Sequence, residues 1–410
     1  MKILIIHPYF YLPGGVGNNR SFEFAKYFVD SGHKVSIITT SAYFPKDFLR
    51  KSFWIKTIEY QSIIVHVLPV AYSHHMHFFR RAISFVQFLL WASIYSLFIK
   101  SPDLTYCIST PPTVGLIGIL LKKIKKVPFV FEVFDLWPEV PIVLLGIQNR
   151  FVKSVLYHFE KIIYNKADLI IGLSEGISQS IIKKGINSSK VKTIVNGTNI
   201  DYFRPCFEKN QAKYILNIDK DDFVVLYAGT IGKANGCSFI VKVAKLIQNK
   251  GFNKVKFLFV GDGNEKKNVS KLVVDQGLVN CFFVDAVSKN EVIKFFNAAN
   301  IGIVTFAPYK VLETNSANKW YDYLSCGLPV ITNYKGWEAE FMEKYSSGFS
   351  TDNTNYELFA TIIIDLYLDR IKCQIMGENA RKVAEEHFDR KKLAESTLKY
   401  FQLISFNHIT

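Results

Sequence analysis

The sequence predicts an α/β protein built from two doubly wound, Rossmann-like units, and three observations carry that expectation. The chain has 410 residues, 49% of them hydrophobic, which suits two ordinary domains with a core each. A rhythm of short apolar strands and helical stretches runs through the first half and begins again in the second. Between them lies CFEKNQAKYILNIDKDD, which is polar, charged and weakly patterned. The expected domains are therefore 1–205 and 206–389, with a last helix, about 390–410, returning to the first.

Taken in order, Lys2 to Ile6 is a strand, Asn19 to Ser31 has helical spacing and stops at Gly32, and Val35 to Thr39 is the next strand. Leu104 to Ile108, Phe129 to Val133 and Leu169 to Gly172 continue the rhythm. A helix is expected from about Lys153 to Asn165. KVKTIVNGTNIDYFRP then gives a strand, a turn at Asn196-Gly197 and an exit ending at Pro205. The second unit opens with Phe223 to Tyr227 running into AGTIGKANG, and Val255 to Val260 running into GDGNE. Phe282 to Val284, Ile301 to Val304 and Pro329 to Thr332 are further strands, and Arg390 to Leu403 is the last helix.

The formal net charge of +15 favours an anionic partner. No nucleic-acid-binding motif accompanies it, so nucleic acid is not the expected one. The six cysteines form neither a CxxC nor a zinc-ligand spacing, which fits a reduced cytoplasmic protein. MKILIIHPYF lacks a signal-peptide pattern. Ala82 to Ile99 holds no charged residue, with Arg80 and Arg81 before it and Lys100 after it. That length could span a bilayer. A span would, however, part the strands before Val70 from those after Asp103. The expectation is a helix packed in the domain or lying on an anionic membrane surface.

Candidate chemistry lies where strands hand over to helices, because ligands of open α/β sheets gather at those carboxyl ends. PGGVGNNR, with Gly14 and Gly15, lets backbone approach a ligand but lacks the GxGxxG register. In AGTIGKANG, backbone at Thr230 and Gly232 can face a phosphate and Lys233 adds a cation. The alternative there is a glycine-rich turn with an exposed lysine. In LETNSANKWYDYLSCGLPVITN, Ser316 can cap a helix starting at Ala317, whose free amides make an anion site. Lys319 and Asp322 share one face of it, one suited to a phosphate and the other to a ribose diol. The alternative is a surface ion pair. EVFDLWPE places Glu132, Asp135 and Glu139 after a strand. Asp135 suits either catalysis or a helix cap, and Trp137 either core or an acceptor platform. No carboxylate cluster has metal-ligand geometry, and DKDD at 219–222 reads as a solvated turn.

The GG loop with Arg20, SGHKVSIITT, DLWPE, NGTNIDYFRP, YAGTIG, FVGDGNE and NSANKWYDYLSCGLPVI follow one another in order. That set resembles the retaining family 4 glycosyltransferases, within them the O-antigen and capsule branch that includes the fucosamine transferases. The resemblance implies a GT-B fold, the acceptor mostly on the first domain and the nucleotide sugar on the second. It implies no metal or other cofactor, and together with the apolar segment at 82–99 and the basic balance it leads to the expectation of a UDP-sugar donor and a lipid-linked saccharide acceptor at the inner face of the cytoplasmic membrane. Donor contacts would come from Gly14, Gly15, Thr230, Gly232, Asn315, Ser316, Ala317 and Asp322. Asp135, Lys233 and Lys319 would be catalytic, and Arg20, Glu132 and Trp137 would lie on the acceptor side. The chain also departs from the family. Of two donor-site glutamates with seven residues between them, the second falls on Asp322 and the first on Thr314, with Glu313 out of register. The family's Arg and Lys after the first strand of the second domain are Thr230 and Asn235 here, so Lys233 and Lys319 would supply the charge. Phe134 stands where the branch has Arg. A nucleotide-sugar epimerase of the same fold is the alternative function.

Overall fold

Among the described residues, eight strands form the first sheet: β1 (Lys2–Ile6), β2 (Lys34–Thr40), β3 (Lys56–Tyr60), β4 (Ile63–Leu68), β5 (Leu104–Ile108), β6 (Phe129–Val133), β7 (Leu169–Gly172) and β8 (Val191–Thr193). The computed structural model describes residues 1–13, 20–44, 54–72, 76, 78–206 and 209–409. The strand order is β3-β4-β2-β1-β5-β6-β7-β8. β3 runs antiparallel to β4, and the other neighbours are parallel. β5 and β6, LTYCI and FVFEV, are buried at every position, as parallel strands covered on both faces must be. The helix predicted from Lys153 runs Arg150–Lys166, because the Asn149 side chain accepts from the Phe151 and Val152 amides.

The second sheet is entirely parallel. It joins β9 (Phe223–Ala228), β10 (Val255–Val260), β11 (Cys281–Val284), β12 (Ile301–Val304), β13 (Val330–Thr332) and β14 (Gly348–Ser350) in the order β11-β10-β9-β12-β13-β14. β9 and β12 are central and wholly buried.

The chain divides into two units, Met1–Val195 with Arg390–Thr410, and Asn196–Asp389. Asn196 to Pro205, expected in the first domain, thus belong to the second. The Thr198 hydroxyl donates to Asp322 at 2.6 Å, and the Arg381 guanidinium donates to the carbonyls of Ile200 and Phe203 at 3.1 and 3.0 Å. The polar stretch after them is not an open linker. Its Lys209–Ile215 segment is helical, and the buried Lys213 ammonium donates to the carbonyls of Lys220 and Asp222. The last helix, Arg390–Ile409, lies in the first unit. There Phe401 packs on Phe28 and Tyr106 with ring centroids 5.5 and 4.9 Å apart, and Arg390 pairs with Glu23 at 3.1 Å.

The uncharged segment of the first unit forms the helix Phe78–Phe98. Its window Arg80–Phe98 has mean hydropathy 1.3, yet only 22% of it is buried. Ile83, Val86, Leu90, Ile94 and Phe98 are exposed along one side, at the spacing of a continuous apolar stripe.

Candidate functional site

In the second unit the site grows from the carboxyl ends of β9 and β10 and the helix Asn318–Ser325. Aromatic side chains fix that helix to the sheet: Trp320, Tyr321 and Tyr323 are buried, and the Tyr323 hydroxyl accepts the Ala228 amide at 2.7 Å where β9 ends. A Cβ on Gly302 of β12 would fall 2.4 Å from the Tyr323 ring, so the glycine is what admits the helix. The loops after β9 and β10 lie backbone to backbone. Gly261 and Gly263 have φ of +151° and +158°, and a Cβ on either would meet the Gly229 or Ile231 carbonyl at 2.0 or 2.3 Å. The loop after β9 therefore sits open and close to its neighbour. Thr230 is exposed, with its carbonyl accepting the Tyr227 hydroxyl at 2.6 Å. Gly232 caps the short 3-10 turn Lys233–Asn235, on which Lys233 is exposed.

Lys319 points back at this loop. Its Nζ lies 3.9 Å from the centre of the Tyr227 ring, and its Cε would be 3.0 Å from a Cβ on Gly229. The nitrogen is buried and hydrogen-bonds to no described group, and burial lowers its pKa from the ordinary 10.5 to about 8. Asn315 Oδ1 and Asn318 Oδ1 are likewise buried without partners. Native interiors rarely leave such atoms unpaired, so three within five residues make this a candidate place for a polar ligand. Lys319 and Asp322 do not form the ion pair that was the alternative reading.

The helix start differs from the expectation. It begins at Asn318 with Ala317 as cap, and Ser316 does not cap it because its hydroxyl hydrogen-bonds the Tyr321 hydroxyl at 2.6 Å. The Ala317 amide is also engaged, donating to Glu338 Oε1 at 3.3 Å. Glu338 is 1% exposed, bonded to the Tyr334 hydroxyl, and its pKa is pushed by burial up to about 8. The first amides of the helix not engaged in this way are therefore those of Asn318 and Lys319, one position later. Sequence reasoning missed Glu338 and Tyr334, since no local spacing ties them to Ala317.

In the first unit Arg20 and Glu132, expected to face an acceptor, are spent on each other. They pair at 2.8 Å with side chains 1% exposed, while Arg20 also donates to the Val195 and Ile194 carbonyls and covers Phe24. Asp135 does not cap the following helix, whose cap is Pro138. It lines a small cavity with Ser109, Trp137 and Glu160, and burial pushes its pKa up to about 6. Gly14 and Gly15 lie outside the described residues. Among the described residues no group of three His, Cys, Asp or Glu side chains gathers as a metal site.

Two family models match the chain, Glycosyltransferase Family 4 over residues 13–202 and Glycosyl transferases group 1 over 208–383. The capsular polysaccharide biosynthesis glycosyltransferase CapM of Staphylococcus aureus is 26% identical over 82% of this chain and 84% of its own length. Sucrose-phosphate synthase from Thermosynechococcus elongatus superposes with a TM-score of 0.80 at 17% identity, over 98% of both chains. Anabaena HepE in complex with UDP gives 0.71 at 18% identity, over 98% of this chain and 100% of that one.

Proposed function

From a chain that is a glycosyltransferase of GT-B fold, a family 4 domain followed by a group 1 domain, we propose a retaining enzyme that moves a sugar from a UDP-sugar to a lipid-linked saccharide. The transfer belongs to O-antigen or capsule assembly at the inner face of the cytoplasmic membrane. The observation that carries the donor side is the unpaired set of Asn315, Asn318 and Lys319 beside the loop after β9. The UDP bound by HepE and the capsular role of CapM favour this donor and this pathway class.

In this mechanism the Lys319 ammonium and the amides of Asn318 and Lys319 hold the diphosphate and stabilise its charge as it leaves. Lys233 closes on the same phosphates from its exposed turn, next to backbone at Thr230 and Gly232. Asp322, steadied by Thr198, accepts from the ribose hydroxyls. The bond from the anomeric carbon to the phosphate oxygen breaks, giving an oxocarbenium-like centre. The acceptor hydroxyl attacks from the same face and gives its proton to the departing phosphate oxygen. Asp135 orients the acceptor, and no metal is required. The exposed apolar stripe of the helix Phe78–Phe98, with Arg80, Arg81 and Lys100, supports attachment to an anionic bilayer.

A panel of UDP-sugars, incubated with the protein and polyprenyl-diphosphate-linked N-acetylglucosamine, tests the reading by product analysis. An α-linked product from an α-linked donor is the expected result. Conversion of the donor to an epimer without acceptor, or a β-linked product, refutes it.

A further inference from the structure

Three adjacent parallel strands of the first sheet, β4, β2 and β1, each deliver a tyrosine just beyond their carboxyl ends. Tyr9 follows β1, Tyr43 follows β2 and Tyr72 follows β4, and Tyr11 joins them. Ring centroids lie 4.8 Å apart for Tyr9 and Tyr72, 6.0 Å for Tyr9 and Tyr43, and 4.2 Å for Tyr11 and Tyr43. Their hydroxyls pair across the cluster, Tyr9 with Tyr72 and Tyr11 with Tyr43. The apolar helix Phe78–Phe98 packs on the cluster at Tyr72. Phe85 stacks on Tyr72 at 5.7 Å, and the Arg81 guanidinium sits 5.7 Å from the centre of the same ring. Arg81 Nε is buried and has no hydrogen-bond partner among the described residues.

Ordinary core packing does not explain this set. Tyr9, Tyr11 and Tyr43 are only half-buried, so part of their aromatic surface stays exposed. A buried guanidinium nitrogen left without an acceptor is costly unless an anion meets it. Aromatic faces offer flat apolar area to the C–H faces of a sugar ring, while phenols hydrogen-bond its hydroxyls. The carboxyl ends of parallel strands are where such sheets take ligands.

We propose that Tyr9, Tyr11, Tyr43, Tyr72 and Arg81 form a binding site for a glycosyl phosphate, the sugar on the tyrosine faces and the phosphate on Arg81. The assignment rests on the acceptor reading above and deepens it. The phosphate end is held by the same helix that carries the exposed apolar stripe, which favours a sugar borne on a lipid phosphate over a free sugar phosphate.

The test uses the full chain, calorimetry and two probes: N-acetylglucosamine 1-phosphate, and farnesyl-diphosphate-linked N-acetylglucosamine in micelles. Arg81→Gln and Tyr43→Ala should each weaken binding of the probe by about tenfold or more, with Tyr43→Phe closer to wild type. Binding of UDP, which the second unit holds, should not change, and thermal midpoints report folding. Tighter binding of the farnesyl form places the sugar on a lipid, and equal binding of the two places it in solution. Both outcomes support the site. Folded Arg81→Gln and Tyr43→Ala variants that bind as tightly as wild type overturn the site and leave the acceptor reading standing. A wild-type protein that binds neither probe, yet transfers to a phosphate-free saccharide, overturns both.

Discussion

Lys319→Met is the substitution that most directly probes the proposed donor site. The wild-type ammonium is buried over Tyr227 with no anion beside it, and its pKa is lowered by burial from 10.5 to about 8. A diphosphate placed there would restore the ordinary value. Restoration is worth about 3 kcal/mol at ~1.4 kcal/mol per tenfold, so below pH 8 the lysine should tighten UDP binding by roughly a hundredfold over methionine. The pH dependence has a definite sign. Above pH 8 the free protein loses the proton while the complex keeps it, so the wild-type advantage shrinks about tenfold per pH unit until about pH 10.5. At pH 9, UDP binding should draw in about 0.9 proton more in wild type than in Lys319→Met, and at pH 6.5 none. Calorimetry in buffers of different ionisation enthalpy measures this uptake. Equal uptake in the two proteins at pH 9, or an affinity gap that stays constant between pH 7 and 9, refutes the placement of the diphosphate on Lys319. The unliganded protein should respond in the opposite sense. A lysine whose folded pKa is lowered makes the unfolded chain bind more protons between about 8 and 10.5, so stability from this group rises through that window. Lys319→Met should therefore raise the thermal midpoint while it weakens UDP.

The other expectations test separate parts of the molecule. Asp322→Ala should weaken UDP by about 1.5–3 kcal/mol by calorimetry, because a ribose diol loses a charged acceptor, and unchanged affinity would remove Asp322 from the site. Glu132→Ala should destabilise the first unit by about 3–5 kcal/mol in urea unfolding, since it strands the buried Arg20 cation, whereas replacing both residues by apolar ones should cost far less. Transfer activity should survive excess EDTA, and a complete loss that magnesium reverses would refute the metal-free mechanism. The protein should sediment with vesicles containing anionic lipid and be released by carbonate at high pH, and Leu90→Asp, on the exposed stripe, should abolish sedimentation.

How far the molecule could be read in advance depended on whether the cause was local. The strands β1, β5, β6, β9, β10 and β12 announced themselves because a parallel strand buried on both faces needs an unbroken apolar run. The β3–β4 hairpin did not, because its turn places Gln61 and Ser62 at positive φ, +50° and +64°, without the glycine that usually signals it. The helix Lys209–Ile215 was hidden for a related reason. Its stretch is polar and weakly patterned by composition, but the Lys213 ammonium is satisfied by two backbone carbonyls, so that side chain is buried without a countercharge while most of the helix stays exposed. The helix Asn318–Ser325 shows both sides of the same limit. Its 3.6-residue period puts Lys319 and Asp322, three apart, on one face, because side-chain direction follows from the helix alone. The cap could not be read in that way. Ser316 has the right chemistry for it, but Tyr321 competes for its hydroxyl, and the Ala317 amide finds a carboxyl from a helix that begins 20 positions later. Periodicity thus tells which groups leave the helix together, while the partner each one meets is settled by strand order. A donor site made of unpaired groups is therefore recognisable only once every protein partner that could have satisfied them has been placed.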